Sequence, residues 1–356
     1  MGSSSTKVGN YQVAISSQLR DLTKIFNPEK HSQSFILVDE NTKALCLPRL
    51  LHAVPALKNS HILEIRSGEK IKTIDTCKKL WQALLKKNAD RSSLMINLGG
   101  GVIGDMGGFV ACTYKRGIPF INIPTTLLSQ VDATIGGKLG VDFNDVKNAV
   151  GIFKNPQAVF IHPGFLKTLP GDELLSGFAE MIKHSLISSP KMWDEIKKVN
   201  PGRIKNWDSM IYQSLLAKKK IVEKDPFEKN TRKVLNFGHT LGHAFESAAL
   251  HDGIKLLHGH AVALGMIAES FLSSRICGLS EKHLHEITDF ILLHYHRQLH
   301  SDISDINWRR WITHDKKNTG DRLNFTLLQS IGKPVINAHC DMRLIAEAVR
   351  FLNSKL

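Results

Sequence analysis

The apolar positions of this 356-residue chain fall into two regimes. In the first half, short apolar runs alternate with helical spacing. Phe35-Ile36-Leu37-Val38 is a compact run ending at Asp39, and His61 to Ile65 is another. From Thr73 to Lys87 the residues Ile74, Cys77, Leu80, Trp81 and Leu84 share one stripe of a helix. Leu94 to Leu98 reads as a strand that runs into three glycines, and Ile118 to Ile123 and Ala158 to Ile161 follow as strands. Strands alternating with helices predict a parallel sheet covered on both faces.

After Pro163 the spacing becomes helical. Asp172 to Ile187, Met210 to Val222, Phe237 to Leu250, Ala261 to Arg275 and Lys282 to His294 read as helices, punctuated by Pro170, Pro190 and Pro226. One short strand pair is expected near Asn324 to Leu328. The expected architecture is an α/β N-terminal domain with a Rossmann-like parallel sheet, residues 1–169, followed by a mainly α-helical C-terminal domain, residues 170–356.

Composition changes this picture little. Hydrophobic residues make up 42% and charged residues 22%, as in an ordinary globular chain. The net charge of +14 fits an anionic partner. The basic residues are dispersed, with clusters no longer than Lys218-Lys219-Lys220, so nucleic acid is not expected and a small anionic substrate is. Five cysteines without C-x-x-C spacing suit reduced thiols of a cytoplasmic protein. Met1 to Asn10 is polar and lacks the apolar segment of a secretory leader, and no run of about 18 apolar residues predicts a membrane span.

Two motifs carry candidate chemistry. Gly99-Gly100-Gly101-Val102-Ile103-Gly104 fits G-x-G-x-x-G between a strand and a helix read as beginning near Asp105. Glycines there let backbone approach a pyrophosphate whose charge a helix N-terminus favours. No acidic residue ends a strand about 20 residues later, as the dinucleotide fingerprint expects; the acidic candidates are upstream, at Asp39 and Glu69. On this motif alone, a tight turn without ligand stays open. Farther on, His239 and His243 stand one helical turn apart, His258-Gly259-His260 follows, and Glu180 lies on an earlier helix. A carboxylate with two imidazoles leaves an open position on a catalytic zinc. Lys138, Asn148, Lys183, Lys218, Arg232 and Lys316 or Lys317 can hydrogen-bond a phosphate or carboxylate.

Several stretches in order then carry a resemblance. They are G-G-G-V-I-G-D (Gly99 to Asp105), Y-K-R-G (Tyr114 to Gly117), I-P-T-T-L-L-S-Q-V-D-A-T-I-G-G-K (Ile123 to Lys138) and K-N-A-V-G (Lys147 to Gly151). A-E-M-I-K (Ala179 to Lys183), L-N-F-G-H-T-L-G-H (Leu235 to His243) and D-K-K (Asp315 to Lys317) complete the set. From about Asp39 to Gly332 the chain resembles the 3-dehydroquinate synthase family, within the sugar-phosphate cyclases. The resemblance implies that NAD transiently oxidises a hydroxyl of 3-deoxy-arabino-heptulosonate 7-phosphate. Phosphate is then eliminated, the carbonyl is reduced again, the ring opens, and an aldol step gives 3-dehydroquinate, in the shikimate pathway to aromatic amino acids.

By the same resemblance Glu180, His239 and His258 are the ligands of zinc, with cobalt as an alternative. His243, which spacing alone would make a ligand, instead contacts the substrate phosphate region. Lys138, Asn148, Lys183, Lys218, Arg232, Asn236 and the Lys316-Lys317 pair hold the substrate, and Arg116 reaches its phosphate across a homodimer contact. Asp39, Glu69 and Lys72 are expected on the adenosine side of NAD. Gly100, Gly101, Asp105, Thr125, Thr126, Asp132, Lys147 and Thr168 are expected near its pyrophosphate and nicotinamide. One departure stands out: the family pattern H-G-E reads His258-Gly259-His260 here, so His260 is expected either to compete for the metal or to leave His258 without a carboxylate partner. The alternatives are another sugar-phosphate cyclase, a metal-dependent polyol dehydrogenase, and a degenerate binding protein.

Overall fold

A computed structural model describes residues 4–144, 146–299, 308–312 and 323–356. The chain divides into two compact units, Met1–Leu169 with Lys205–Lys219, and Pro170–Ile204 with Lys220–Leu356.

In the first unit the strands are β1 (Ser4–Val8), β2 (Tyr11–Ile15), β3 (Ser34–Asp39), β4 (His61–Ile65), β5 (Leu94–Gly99), β6 (Phe120–Pro124), β7 (Lys138–Phe143), β8 (Val146–Phe153) and β9 (Ala158–Ile161). Seven form one sheet in the order β1-β2-β9-β6-β5-β3-β4, parallel except for the β1–β2 pair, while β7 and β8 make a separate antiparallel hairpin. The helices are α1 (Leu22–Ile25), α2 (Glu40–Leu45), α3 (Leu47–Ala53), α4 (Ile74–Lys86) and α5 (Gly101–Thr113). Successive strand residues point to opposite faces. Phe35, Leu37 and Met95 therefore pack with α4 and α5, and Ile36, Val38 and Ile96 pack with α3. The apolar runs read from the sequence are continuous because both faces are covered.

Several elements are not legible in the sequence, β1, β2 and the hairpin β7–β8 among them. Within the polar stretch Met1 to Asn10, Ser4–Val8 is β1, a polar edge strand whose backbone pairs with β2. The hairpin β7–β8 has exposed residues along most of β8, so it lacks the buried alternation that marks a strand.

The second unit is helical. It holds α6 (Gly171–Ser188), α7 (Pro190–Ile196), α9 (His239–His251), α10 (His258–Ile276), α11 (Glu281–Leu299), α12 (Trp308–Ile312) and α13 (Met342–Asn353), with the antiparallel pair β10 (Leu323–Ser330) and β11 (Lys333–Cys340). Helix α8 (Asp208–Lys224) contributes residues to both units. Every residue of α10 from Gly259 to Ser273 is buried, so this helix is the axis of the unit's core. No helix among the described residues is long and apolar enough to cross a membrane.

Candidate functional site

In the first unit the strand order reverses between β3 and β5, and ligands of open α/β sheets bind at the carboxyl ends of strands at such a reversal. Asp39 ends β3, and Gly99 ends β5. Helix α5 begins at Gly101 rather than near Asp105, because glycine's poor helix propensity hid its first turn. Gly100 precedes it in extended geometry (φ −74°, ψ −166°), leaving the first N–H groups of α5 at the strand end. Other glycines of α5 serve packing. A Cβ on Gly107 would lie 2.7 Å from Asn97 Cγ, and one on Gly108 would lie 3.1 Å from Leu139 Cδ1.

Around this helix the cations are held by acids. Lys72 is 3% exposed and donates to Asp105 Oδ2 at 2.8 Å and Asn148 Oδ1 at 2.7 Å, with a Glu69 carboxylate oxygen at 3.8 Å. Burial alone would lower its pKa, but Asp105 and Glu69 outweigh burial and hold the ammonium charged. Asn148 adopts φ +50° and gives its N–H to Asp142 at 2.7 Å, while the Asp142 N–H donates to the Lys72 carbonyl at 2.8 Å. Lys72, Asp105 and Asn148 thus meet at one ammonium. Lys218 donates to the Asp132 carbonyl at 2.6 Å and pairs with its carboxylate at 2.8 Å.

The remaining expected residues of this unit are less tightly knit. Asp39 caps α2, accepting the Thr42 N–H at 2.7 Å. Thr125 is buried and donates its N–H to Gly99 at 3.0 Å, Thr126 bonds Ser129, and the Thr168 hydroxyl donates to the Phe165 carbonyl. Lys138 is exposed at the start of β7, and Lys147 is half-buried on β8. Arg116 is exposed at the end of a turn and takes φ +69°.

In the second unit three helices converge through glycines. Gly238 takes φ +79°, and a Cβ there would meet Met266 Cγ at 2.5 Å. A Cβ on Gly242 would meet the Ala261 carbonyl oxygen at 3.0 Å, and one on Gly265 would lie 2.7 Å from Gly242 N. A Cβ on Gly259 would collide with the Ser176 carbonyl, and the Gly259 N–H donates instead to the Ser176 hydroxyl at 3.0 Å. The glycines of G-H-T-L-G-H and H-G-H therefore bring α9, α10 and α6 to backbone contact.

Glu180 stands one turn beyond Ser176 on α6, fully buried. Its Oε1 lies 3.4 Å from His239 Nε2 and 3.6 Å from His258 Nε2, and Lys183 forms an ion pair with Oε2. Burial pushes the Glu180 carboxyl up, but Lys183 and His239 outweigh it and hold the group well below the usual carboxylate range. Burial and Lys183 depress His239 to about 4. His258 is the opposite case: burial is outweighed by the Glu246 and Glu180 carboxylates, which push it up to about 10. His239, His243 and His258 present ligand nitrogens within 4.8 Å of one another, so geometry keeps His243 within reach of a shared ion.

His260 is elsewhere. Two positions along a helix differ by about 200° in direction, and its buried ring lies edge-on to Tyr295 with centroids 5.7 Å apart. It is absent from the group of approaching ligand atoms, so it does not compete there. The carboxylate partner of His258 is Glu246, whose Oε2 lies 3.2 Å from His258 Nδ1.

Arg232, 2% exposed, donates to the Pro226 carbonyl at 2.6 Å, and Asn236 donates to Glu228 at 3.2 Å. The loop before Arg232 is fixed by Asp225, whose carboxylate accepts the N–H groups of Lys229, Asn230 and Arg232 at 3.0, 2.7 and 3.0 Å. Asp225, Glu246 and Glu269 were all missed from sequence. Only Glu246 left a signal, seven positions after His239 on one helix face. Lys316 and Lys317 lie outside the described residues.

A family model described as 3-dehydroquinate synthase N-terminal matches residues 62–176, and its C-terminal counterpart matches residues 177–318. The chain belongs to the 3-dehydroquinate synthase family. A 3-dehydroquinate synthase of Parabacteroides distasonis is 43% identical over 334 residues, covering 93% of this chain and 94% of that protein. Its counterpart in Clostridium tetani is 36% identical over 350 residues, covering 95% and 91%. Among solved structures, a 2-epi-5-epi-valiolone synthase from Streptomyces hygroscopicus with NAD+ and Zn2+ bound is 26% identical, with a TM-score of 0.86 over 99% of both chains. Members of the 3-dehydroquinate synthase family and this relative thus share one fold while differing in the product named.

Proposed function

We propose that the chain converts 3-deoxy-arabino-heptulosonate 7-phosphate to 3-dehydroquinate and phosphate, using NAD and a divalent metal. The observation that carries the reading is the buried Glu180 carboxylate: Lys183 pairs with its Oε2, and two imidazole Nε2 atoms converge on its Oε1. An oxygen and two imidazole nitrogens suit zinc or cobalt, which would displace the proton that Glu246 and Glu180 hold on His258, and a fully buried carboxylate facing them fits an ion better than it fits apolar packing. Glu180, His239 and His258 would hold that ion. When bound, the metal would polarise the hydroxyl being oxidised and NAD would accept and return its hydride.

The chain's own groups bind and orient. The N-terminus of α5 with Gly100, Gly101, Asp105, Thr125 and Thr126 suits a pyrophosphate, with Asp39, Glu69 and Lys72 toward the adenosine. Asp132, Lys147 and Thr168 would line the nicotinamide end. Lys138, Asn148, Lys183, Lys218, Arg232, Asn236, His243, Arg116 and the Lys316-Lys317 pair supply donors for a carboxylate, hydroxyls and a phosphate. Elimination and aldol closure ask mainly for positioning when the substrate phosphate takes the proton, which suits donors in place of paired acids.

A homodimer belongs to this reading. Phe143, Val146, Val150 and Phe153 are 50, 46, 36 and 48% exposed on the hairpin β7–β8, a surface that a second copy would cover. Sedimentation equilibrium of the intact chain reads this directly, and a monomer at micromolar concentration would count against it. The five free cysteines and the small anionic substrate agree with a cytoplasmic enzyme.

Phosphate release from the heptulosonate phosphate, with NAD+ and zinc, tests the activity. Chelation is expected to lower the rate at least about a thousandfold, since metal polarisation is worth several kcal/mol, and NADH should not accumulate. Steady accumulation of NADH would indicate a polyol dehydrogenase. Inertness of the metallated protein toward this substrate would indicate a cyclase for another sugar phosphate.

A further inference from the structure

We propose that Glu246 is a positioning residue for the metal site, selecting the His258 tautomer and fixing its ring. This rests on the metal reading above. The first support is geometric. Glu246 is 8% exposed, and its Oε2 lies 3.2 Å from His258 Nδ1 while His258 Nε2 faces Glu180 at 3.6 Å. A carboxylate accepts a proton and cannot donate one when ionised, so the Nδ1 facing it carries hydrogen. In the neutral ring, Nε2 is then left as a lone pair directed at Glu180 and His239.

The second support is the matching arrangement at His239. Its Nδ1 lies 3.1 Å from the Phe237 carbonyl, again an acceptor, so its Nε2 is turned toward the same point. A third observation gives the arrangement its rigidity. Glu246 reaches from α9 to the first turn of α10, and Glu269 reaches from α10 to the first turn of α9. Glu269 is fully buried and accepts the Gly238 N–H at 2.6 Å and the Leu241 N–H at 3.0 Å, on either side of His239. The two helices exchange carboxylates, one at each histidine. Glu269 acts on backbone and fixes where α9 begins; Glu246 acts on the imidazole itself. Position 260 points away from His258 along α10, so the carboxylate on His258 Nδ1 comes from the neighbouring helix.

The experiment uses the full-length chain and zinc alone, with affinity measured by competition against a chromophoric chelator. Glu246→Gln is expected to weaken zinc binding about ten- to a hundredfold, and Glu246→Asp to recover part of the loss. The measurement is repeated in a His258→Ala background, where Glu246→Gln is expected to change the affinity less than twofold. A residue acting only on the general fold would lower affinity by the same factor in both backgrounds. Equal affinity of Glu246→Gln and the unsubstituted chain overturns the proposal, and so does an undiminished effect without His258. If the unsubstituted chain binds no stoichiometric zinc, the metal reading itself falls. The melting temperatures of the metal-free variants, compared alongside, separate loss of affinity from loss of fold.

Discussion

Glu180→Gln is expected to lower turnover at least about a thousandfold and to destabilise the metal-free chain as well. The two effects have different origins. Turnover falls because the amide is a poor ligand in place of the carboxylate that faces the Nε2 atoms of both His239 and His258. Stability falls because Lys183 is 1% exposed and forms an ion pair with Glu180. Removing one member of a buried pair weakens the compensation of the other charge, at a cost of up to about 3–5 kcal/mol. A second substitution separates the effects. In Glu180→Gln/Lys183→Met the buried charge is gone, so most of the stability should return in a urea melt while the phosphate-release rate stays at its floor. If the double variant remained as unstable as the single one, the ion pair would not be the source of the loss. If activity returned with stability, Glu180 would have no part in the chemistry.

Gly265→Ala should cost at least about 3 kcal/mol, at the upper end for overpacking by one methyl group. The obstacle is backbone, which cannot rotate away: the new Cβ would lie 2.7 Å from Gly242 N and 2.9 Å from the Gly238 carbonyl carbon. Relief requires α9 and α10 to separate, and those helices carry His239, His243 and His258. Zinc affinity should therefore fall at least about tenfold even under conditions where the variant is folded, because ligand placement within about 0.5 Å governs such sites. Gly278→Ala serves as the contrast. Gly278 has nothing within 4 Å of a Cβ, though its φ of +89° makes the change strained, so stability falls there without a change in metal affinity. Paired urea melts and zinc titrations would show whether the close approach of α9 and α10 governs the site.

Much of this was legible from residue patterns. The parallel strands are visible because burial on both faces makes them uninterrupted apolar runs, and the helices of the second unit through their length and the prolines between them, although α10 is buried on every side. The histidine cluster was legible through spacing. Local spacing could not reveal what depends on contacts between distant segments. Glu269 reads as an isolated acid on an apolar helix, and only the folded chain brings it to the N–H groups of Gly238 and Leu241. The same holds for Lys72, whose meeting with Asp105 and Asn148 joins three stretches far apart in sequence. The position of His260 was misjudged for a related reason. Adjacency in sequence to His258 suggested adjacency in the site, but helical geometry sends the two rings in different directions. Glycines were the most ambiguous letters. Those of the first motif suggest phosphate, while Gly107 and Gly108, beyond it on the same helix, let that helix lie close against Asn97 and Leu139.

The two outer strands of the seven-stranded sheet have a consequence for behaviour at high concentration. An open β edge is a template for another chain, and long apolar edges are where aggregates begin. Here β1 is Ser4-Ser5-Thr6-Lys7-Val8, and β4 carries Glu64, paired with Lys43 at 2.5 Å. Each edge is five residues long and interrupted by charge. Neither end of the sheet is thus left as an adhesive strip, and unwanted association is limited where the backbone is most exposed.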